Sequence, residues 1–513
     1  MPEVEVWNRY VRPAASGDAA RRVSNAADRR FIGISFLESR NDRKCLICIE
    51  VLRARSPGDR AIIPAFSAPQ IRIITTRRSP LRPLQTTRLL LLISAALIAV
   101  SGVAFGSGFS IFEQGSKATG MGGAFAATAD DPSAIFYNVA GIAQQRKMAI
   151  LGGGTGISFT NEFRGDPNDP YTVGTRAEYK RHLFVPPNGY AIVPIGKNLT
   201  FGVGVFTPFG LRTDWANPNT YLGRFISQDA NLKTLSIEPA VAWQTDDGRL
   251  AIGLGAEYRR SHVILARNNG IVNPFTQRIS DVAHVGLDSG FDNAAWGYNV
   301  GILLKPNSSW RFGLSYRGDM KINYKGTAVF TQIPTGNAEL DAVVKAGLPP
   351  NQPITTQINF PATLIGGIAY TGFTNWTIET DITHTTWSKF QNLDIIFTQT
   401  PANNLHRPQN WKDTFSYRLG VNRTLGQNWD ARIGGVYDKN PQPTEGVGPL
   451  LPDSDREGVA FGLGWHSGPF LIDVTEFALH FKNRSTQGIN LDHFNGTYKT
   501  DANLITIDFG YKF

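Results

Sequence analysis

The chain has 513 residues, of which 42% are hydrophobic and 18% are charged, and it contains only two Cys. Two cysteines exclude a disulfide-dense secreted scaffold, and no apolar run reaches the roughly 18 residues that a transmembrane helix needs. The formal net charge of +9 would by itself favour a nucleic-acid or anionic-membrane partner. However, residues 1–104 hold 17 of the 51 Lys and Arg and 8 of the 42 Asp and Glu, so residues 105–513 carry 34 charges of each sign. The larger part is neutral, and we expect no nucleic-acid partner.

The N-terminal part of the chain consists of two segments. Residues 1–84 are Arg-rich and show no sustained strand or helix period, so we expect them to be disordered. Residues 85–104 have the parts of a secretory signal peptide: a positive flank at Arg88, an apolar stretch over 89–100 and a small-residue exit. Because a signal peptide belongs at the start of a chain, we hypothesise that residues 1–84 are a non-native upstream extension.

Residues 147–513 alternate between apolar and other side chains with period 2, which indicates strands with two different faces. In residues 310–317, aromatic and aliphatic side chains occupy the even positions, and Arg, Gly and Ser occupy the odd positions. A soluble sandwich also alternates, but aromatic residues near strand ends and charged residues on the opposite faces favour a membrane-spanning barrel with a polar lumen. The chain also ends on an aromatic residue, Phe513, that closes an alternating strand.

The pattern predicts an all-β fold, an antiparallel barrel of about 14 strands, an even number as in bacterial single-chain barrels. The predicted strands are 147–160, 177–194, 199–208, 232–245, 249–267, 294–305, 309–330, 355–371, 374–398, 410–424, 428–438, 456–466, 469–482 and 502–513. The predicted extracellular loops are 209–231, 268–293, 331–354 and 439–455. Within the third loop, residues 338–347 are predicted to form a helix that ends at Gly347.

Residues 105–146 have a different composition, with seven Gly and eight Ala and the turn signal Asp-Asp-Pro-Ser at 130–133. The segment is too polar to span a membrane and too rich in small residues to form a core of its own. Two interpretations stay open on these grounds. The segment is either a plug folded inside the barrel lumen or a periplasmic tail.

Several dispersed motifs occur in the order typical of one family. They are G-F-S-I-F-E-Q-G at 108–115, G-M-G-G-A at 120–124, A-D-D-P-S at 129–133, Y-L-G-R-F at 221–225, I-E-P-A-V-A-W at 237–243, Y-R-G-D-M-K-I at 316–322, T-W-S-K-F at 386–390, D-K-N-P-Q-P at 438–443 and L-P-D-S-D-R at 451–456. They resemble the FadL/TodX family of outer-membrane transporters of long-chain fatty acids and hydrocarbons. The resemblance covers about residues 106–513 and implies a monomeric fourteen-stranded barrel with residues 105–146 as a hatch in the lumen. It also implies a Gram-negative-type outer membrane, reached through a cleaved signal peptide.

The resemblance implies a route for an apolar substrate. The substrate is captured at extracellular loops, binds in an inner pocket beside the hatch and leaves sideways through a gap in the wall into the outer-membrane lipid. An apolar chain gains about 0.8 kcal/mol per buried CH₂, so an apolar cleft is favoured over a hydrated pore. The expected function is a substrate-specific diffusion channel for long-chain fatty acids or similar hydrophobic compounds. The alternative is a transporter specialised for aromatic or alkane hydrocarbons; a plug argues against a non-specific porin, and a role as adhesin or phage receptor could coexist.

The resemblance also supplies two candidate residues for a fatty-acid carboxylate. Arg267 ends the strand that begins with Gly-Leu-Gly at 253–255, and its odd number places it on the expected lumen side. Arg407 precedes the Lys-Asp pair at 412–413 with the spacing of the family. Arginine can hold a carboxylate through two hydrogen bonds. In the alternative interpretation, both are structural arginines paired with acids of the lumen.

Hatch residues form the second candidate set. Phe109 and Phe112 either line the pocket and move when ligand binds, or only wedge the hatch against the wall. Asn138, Val139 and Ala140 stand where many family members have Asn-Pro-Ala, and the loss of Pro loosens the backbone. The rigidity of this part of the hatch is therefore in question.

Aromatic residues of the 209–231 loop form the third candidate set. Trp215, Tyr221 and Phe225 are candidates for an external capture groove, since a large exposed apolar patch often marks a binding site.

No catalytic or metal-binding constellation is present. The eight His have no metal-ligand spacing, and no G-x-S-x-G motif occurs. Cys45 and Cys48 form a C-x-x-C pair, which could be a redox pair or half a zinc site, but without a second pair or a strand–helix context coincidence is favoured. We expect no enzymatic activity, no metal and no cofactor.

Overall fold

The computed structural model describes residues 33–37, 46–50, 108–274 and 277–513, which form two compact units. The small unit contains strands β1 (Gly33–Leu37) and β2 (Leu46–Glu50), which pair antiparallel. Both strands lie within residues 1–84, the segment for which disorder is a prediction. The rest of that segment, Cys45 and the proposed signal peptide at 85–104 lie outside the described residues.

The large unit is a closed barrel in which every pair of neighbouring strands runs antiparallel. In chain order its segments are β3 (Ala149–Gly165), β4 (Arg176–Glu178), β5 (Leu183–Phe184), β6 (Pro187–Ile195), β7 (Leu199–Phe206), β8 (Gly210–Asp214), β9 (Asp229–Gln244), β10 (Leu250–Val272), β11 (Ile279–Asp288), β12 (Asn293–Leu304), β13 (Trp310–Arg317), β14 (Met320–Gln332), β15 (Gln352–Phe360), β16 (Thr363–Tyr370), β17 (Trp376–Thr385), β18 (Asn392–Phe397), β19 (Leu405–Pro408), β20 (Thr414–Leu425), β21 (Trp429–Asp438), β22 (Arg456–Ser467), β23 (Phe470–Phe481), β24 (Arg484–Ser485) and β25 (Gly496–Lys512). Short interruptions divide several strands, and the segments combine into the predicted fourteen. Strand β25 closes the barrel by pairing with β3 from Gly496↔Gly165 to Lys512↔Ala149.

The two faces of the wall have the predicted chemistry. Large apolar side chains point outward, as shown by Trp296 and Leu254, which are 67% and 54% exposed. Charged side chains point inward, and Glu257 and Arg259 are buried on the lumen side as their parity predicts. A closed barrel pairs the backbone groups of neighbouring strands along most of the wall, as crossing lipid with strands requires. No helix within the described residues is long and apolar enough to cross a membrane.

The connections on one side of the barrel are long. Helix α3 (Ala338–Gly347) confirms the predicted helix in the 331–354 loop; Asn337 caps it by accepting a hydrogen bond from Leu340 N at 2.9 Å. The prediction of a loop over 268–293 is wrong, because β10 and β11 extend into this region as a paired hairpin. Short 3-10 turns occur in other loops, at Leu222–Phe225, Trp387–Lys389, Pro401–Asn403 and Thr444–Gly446.

The N-terminal segment lies inside the barrel, which favours the plug over the periplasmic tail. We call residues 108–146 the hatch; it contains α1 (Ser116–Gly120), α2 (Ala134–Tyr137) and a 3-10 helix (Val139–Gln144). These elements contact the inner faces of strands on opposite sides of the barrel, including β7, β9, β10, β12, β22 and β23. The hatch and the wall share one hydrophobic core.

Glycines of the wall allow this close contact. A Cβ atom at each of these positions would overlap with, or press against, the hatch backbone: Gly253, Gly301, Gly313, Gly367, Gly420, Gly434 and Gly462. They belong to β10, β12, β13, β16, β20, β21 and β22, so half of the fourteen strands present a glycine to the hatch. The Gly positions of the lumen face therefore fix how tightly the hatch can pack.

Two neighbouring glycines of β16 test this role. A Cβ atom at Gly367 would overlap with Asp381 Oδ1 and approach Ala126 Cβ within 3.1 Å, whereas one at Gly366 would meet nothing within 4 Å. Gly367→Val should therefore displace the hatch at a cost of about 1–3 kcal/mol, as overpacking usually does, and raise ion conductance in planar bilayers. Gly366→Val is the matched control and should conduct like the unmodified protein. Equal conductance of the two variants would contradict the assignment.

Candidate functional site

The hatch is held by two carboxylates of β17. Asp381 accepts hydrogen bonds from the backbone N–H groups of Phe125 and Ala126, both at 2.9 Å. Glu379 accepts from Ala127 N at 2.6 Å and from Thr128 Oγ1 at 2.6 Å. The hatch backbone here has no regular secondary structure, so buried N–H groups need partners from elsewhere. The wall supplies these partners.

A cation on the next strand along the wall also holds the hatch. Arg418 of β20 donates to the carbonyl of Gly122 at 2.9 Å, and its guanidinium lies 3.9 Å from the centre of the Phe112 ring. The Phe112 ring packs edge-on against Phe136 and Tyr137 at 5.7 and 5.3 Å. Phe112 thus contacts both the rest of the hatch and the wall.

The Asn138–Val139–Ala140 turn is ordered without the proline of the family pattern. Asn138 Oδ1 accepts from Ala140 N at 3.2 Å and caps the 3-10 helix. Its amide donates to the Ala126 carbonyl at 2.7 Å and to the Ile302 carbonyl of the wall at 3.1 Å. All three residues of the turn are fully buried. The asparagine, together with the packing, supplies the restriction that a proline would supply.

Four charged side chains form a buried network between the hatch and the wall. Arg317 pairs with Glu238 at 2.5 Å and with Glu257, and it donates to the carbonyl of Phe136 in the hatch at 3.2 Å. Arg259 pairs with Glu257 at 2.6 Å. The two arginines and two glutamates balance in charge, which buried ions require. Arg317 therefore links this network to the hatch.

Phe109, the second residue of the hatch, is enclosed by aromatic rings. Phe109 is 6% exposed. The ring centres nearest to it are those of Trp387 at 4.7 Å, Trp411 at 5.5 Å, Phe390 at 5.6 Å, Phe209 at 5.9 Å and Phe360 at 6.2 Å. We call these five rings the aromatic cage. Phe109 lies well inside the barrel rather than on a free N-terminal arm.

The hatch also replaces a missing neighbour in the wall. Pairing of β6 with β7 ends at Gly189↔Val205, and the next link between these strands is Tyr179↔Trp215. In the described structure, residues 181–188 and 206–213 share no backbone pairing; we call this interval the seam. Hatch residues bond to the free edge at the seam: Ile111 N donates to the Pro208 carbonyl at 2.9 Å, and Gly210 N donates to the Phe109 carbonyl at 3.0 Å.

A cavity of about 160 Å³ lies next to the seam. Its apolar lining includes Ile111, Ile157, Phe159, Phe184, Leu211, Leu451, Leu479, Phe481 and Leu504. Polar groups reach it at Glu113, Arg212, Asp453 and Arg456. Phe184 and Leu211 belong to the two edges of the seam, so the cavity connects the hatch with the interruption in the wall.

Asp453 is the buried acid of this cavity. It is 6% exposed, and its Oδ2 has no hydrogen-bond partner among the described residues. Burial raises the pKa of Asp453 to about 7, although Arg456 and Arg484 act in the opposite direction. The carboxyl group can therefore be neutral near physiological pH.

Arg267 and Arg407 are close together in the structure. Arg407 forms a two-pronged ion pair with Asp492. Arg267 has no hydrogen bond or ion pair with the described residues, and Arg407 and Asp492 are the charges that act on it. Arg407 also lies near the Gly448–Leu451 turn, since a Cβ atom on Gly448 would be 3.8 Å from its Nη2. The pair of guanidiniums carries more positive charge than Asp492 alone neutralises.

The expected exposed capture groove is absent from its predicted residues. Trp215, Tyr221 and Phe225 are 0%, 7% and 9% exposed. Trp215 stacks on Tyr221 at 5.1 Å and donates its indole N–H to the Pro449 carbonyl at 3.0 Å. Phe225 packs under the Arg224 guanidinium at 4.2 Å. The prediction of exposure is wrong because these aromatics form the core of the loop region.

Sequence reasoning did not identify the residues that anchor the hatch. Glu379 and Asp381 belong to the predicted strand 374–398 and Arg418 to the predicted strand 410–424, and no motif marks them as contacts of the hatch. Two carboxylates on one lumen face, two residues apart, could have indicated a ligand for backbone N–H groups. Within the described residues, no group of three or more His, Cys, Asp or Glu is placed to hold a metal ion.

The fold and the site define a class: a fourteen-stranded outer-membrane barrel with an internal hatch and an apolar cavity beside it. The sequence model described as "Outer membrane protein transport protein (OMPP1/FadL/TodX)" matches residues 97–513. The chain belongs to this family of outer-membrane transport proteins. It is a transporter and not an enzyme.

Known relatives support this membership over most of their length. The long-chain fatty acid transport protein of Escherichia coli O6:H1 is 25% identical over 446 residues, covering 82% of this chain and 98% of that protein. Outer membrane protein P1 of Haemophilus influenzae is 22% identical over 475 residues, covering 82% of this chain and 98% of that protein. The solved structure of a Pseudomonas aeruginosa FadL homologue has a TM-score of 0.69 at 21% identity, covering 79% of this chain and 100% of that one. The toluene transporter TodX of P. putida has a TM-score of 0.61 at 15% identity, covering 80% and 99%.

The raised pKa of Asp453 generates a prediction about the 439–455 loop. Because this pKa is higher in the folded loop than the ordinary value of 3.8, the neutral form is favoured by folding. The loop is then most stable at low pH and loses stability as the pH rises from about 4 to about 7. Hydrogen exchange of peptides from this loop, corrected for intrinsic rates, should be faster at about pH 8 than at about pH 5. Asp453→Asn should remove the difference, and helix α3 serves as the internal control. A pH dependence that survives in Asp453→Asn would contradict the prediction.

Proposed function

We propose that the chain transports long-chain fatty acids or similar hydrophobic compounds across the outer membrane by diffusion through the hatch-gated cavity. The observation that carries the proposal is the apolar cavity of about 160 Å³ between the hatch and the seam. Its walls are aliphatic and aromatic, as expected for a site that binds an apolar chain. The names of relatives support the same class, since one is a long-chain fatty acid transport protein and another a toluene transporter.

The size of the cavity supports gating by the hatch. Ligand pockets usually have about 300–1,000 Å³, and this cavity is smaller. A long alkyl chain therefore needs a displacement of the hatch residues that line it, Phe109 and Ile111. We propose that Phe109 and Phe112 belong to the moving part, and that the anchored Asn138–Val139–Ala140 turn does not move.

We propose Arg267 and Arg407 as the site for the carboxylate. Arg267 has no hydrogen bond or ion pair among the described residues, and the positive charge of Arg407 acts on it. Leu265, two residues earlier on the same face, packs against the cluster that contains Phe109 and Leu451. A carboxylate at Arg267 could thus continue into an alkyl chain near the cavity.

A hydrocarbon transporter is the second candidate function, favoured by the apolar lining and the aromatic cage. In that case Arg267 and Arg407 serve only the structure of the lumen. A non-specific porin is disfavoured, because the hatch fills the lumen.

Uptake by a null strain complemented with variants tests these proposals. Arg267→Ala and Arg407→Ala should raise the oleate concentration for half-maximal uptake about tenfold or more, because a hydrogen bond to a charged group contributes about 1.5–3 kcal/mol. Uptake of hexadecane should not change. Arg260→Ala is the matched control, since Arg260 lies on the same strand and faces outward. Unchanged uptake of oleate in both variants would remove the carboxylate site, and loss of both substrates would indicate a structural role.

We further propose that the protein acts as a monomer and releases its ligand through the seam into the surrounding outer-membrane lipid. The seam is the interval where residues 181–188 and 206–213 share no backbone pairing, and the cavity reaches both of its edges. Leu183 at the seam is 70% exposed. An apolar ligand that leaves here passes from an apolar cavity to lipid without crossing water.

Closing the seam tests the lateral route. In the Cys-free barrel, Leu183→Cys and Leu211→Cys can be joined by a bismaleimide, and the cross-link should stop fatty-acid uptake. The same double variant without cross-linker should transport normally. The control is a cross-link between Leu254→Cys and Trp296→Cys, which lie on two paired strands with both side chains facing outward. This cross-link should leave uptake unchanged. Normal uptake through a cross-linked seam would exclude this route.

A further inference from the structure

The aromatic cage has the form of a binding site that is filled by a side chain of the protein itself. Five rings surround Phe109, with centres between 4.7 and 6.2 Å from its own. Most of these contacts are edge-to-face, the geometry that aromatic pairs prefer. The five rings belong to separate parts of the wall and loops, and none of them is a residue of the hatch. Phe109 occupies the position that an aromatic ligand would occupy.

Two polar groups of the cage have no partner. The indole N–H groups of Trp387 and Trp411 are buried and make no hydrogen bond with any described residue. The two tryptophans are 0% and 1% exposed, and their ring centres lie 4.9 Å apart. Buried indole N–H groups usually have a partner, and a buried donor without one requires an explanation. The phenyl ring of Phe109 cannot accept a conventional hydrogen bond, so it leaves both donors unused.

The segment that carries Phe109 has few hydrogen bonds to the wall. Two backbone hydrogen bonds hold it to the seam edge, Ile111 N to the Pro208 carbonyl and Gly210 N to the Phe109 carbonyl. Gly108 has φ +52°, and a Cβ atom there would come within 2.6 Å of both Trp387 and Trp411. The chain therefore passes directly over the two tryptophans, and its withdrawal would uncover the cage on that side.

We propose that the aromatic cage is a second ligand site, specific for an aromatic ring that carries a hydrogen-bond acceptor, such as an aryl ketone or ester. The ring replaces Phe109, and the acceptor takes the N–H groups of Trp387 and Trp411. A saturated chain lacks the edge-to-face contacts, and a plain hydrocarbon ring leaves the donors unpaired. This site adds to the proposed fatty-acid function and does not depend on a carboxylate at Arg267.

The cation behind the cage is consistent with a neutral ligand. The Arg259 guanidinium lies 4.7 Å from the Phe209 ring centre and 5.1 Å from that of Phe360. Its charge is already balanced by Glu257 at 2.6 Å. The cage therefore offers donors and ring edges, but no free charge for an anion.

Binding of three neutral probes to the purified protein tests the proposal. Acetophenone has a ring and an acceptor, ethylbenzene has only the ring, and 2-octanone has only the acceptor. Phe109→Ala should bind acetophenone at least about tenfold more tightly than the unmodified protein, measured by calorimetry in detergent. In this variant the affinity should follow the order acetophenone, ethylbenzene, 2-octanone.

Comparison of the two aromatic probes separates the lost hydrogen bond from the lost ring contacts, because Trp→Phe removes an N–H donor together with one ring of the indole. Adding Trp387→Phe or Trp411→Phe to Phe109→Ala should weaken acetophenone about three- to tenfold more than it weakens ethylbenzene, the range for a neutral hydrogen bond. Trp296→Phe on the lipid face is the control and should change neither. Phe109→Leu, which keeps more of the packing, provides a second background if Phe109→Ala disturbs the barrel by circular dichroism. Equal binding of acetophenone and 2-octanone, or equal weakening of acetophenone and ethylbenzene, would overturn the site, while oleate uptake dependent on Arg267 would still support the fatty-acid function.

Discussion

The structure depends on one constraint: the hatch backbone must find hydrogen-bond partners inside a lumen that it fills. A short, irregular segment cannot pair its own N–H and C=O groups, and burial without partners is costly. The wall meets this need with acceptors from Glu379 and Asp381 and a donor from Arg418. Because these groups must reach the hatch backbone, the wall has to approach it closely, and the glycines of the lumen face permit that approach. The polar groups of the lumen therefore match the hydrogen-bonding groups of one particular path of the hatch backbone.

The same constraint connects the hatch to the wall at the seam. Strand β8 lacks a neighbour on one side, and an unpaired strand edge inside a barrel is unfavourable. The hatch supplies the missing pairing at Pro208 and Gly210. Phe109, between these two bonds, enters the aromatic cage. A displacement of this short segment would thus enlarge the cavity, empty the cage and free the seam edge together, since all three are held by the same residues.

The sequence alone predicted the barrel well because strand alternation is local: lipid on one side and lumen on the other give every second residue the same environment. The parity of Glu257, Arg259 and Arg267 followed from the same rule. The loops were harder. The 268–293 region reads as polar, yet it is a hairpin that prolongs β10 and β11 beyond the apolar band. Trp215 and Tyr221 were expected to be exposed, but their burial depends on the Gly448–Leu451 turn, more than 200 residues away in sequence. The anchoring by Glu379 and Asp381 was equally non-local, because nothing near them reveals the N–H groups that they receive.

The position of the hatch in the sequence has a consequence for the assembly of the barrel. The hatch directly precedes β3, the first strand, and β3 pairs with β25, the last. Its partners come from both ends of the wall, from Thr155 in β3, which donates to the Glu113 carbonyl at 2.9 Å, to Asp508 in β25, which accepts from Ser116 N. The set of partners is complete only when the last strand arrives. Complete pairing of the hatch therefore requires the closed barrel, and the strand that closes the wall also carries one of the partners of the hatch.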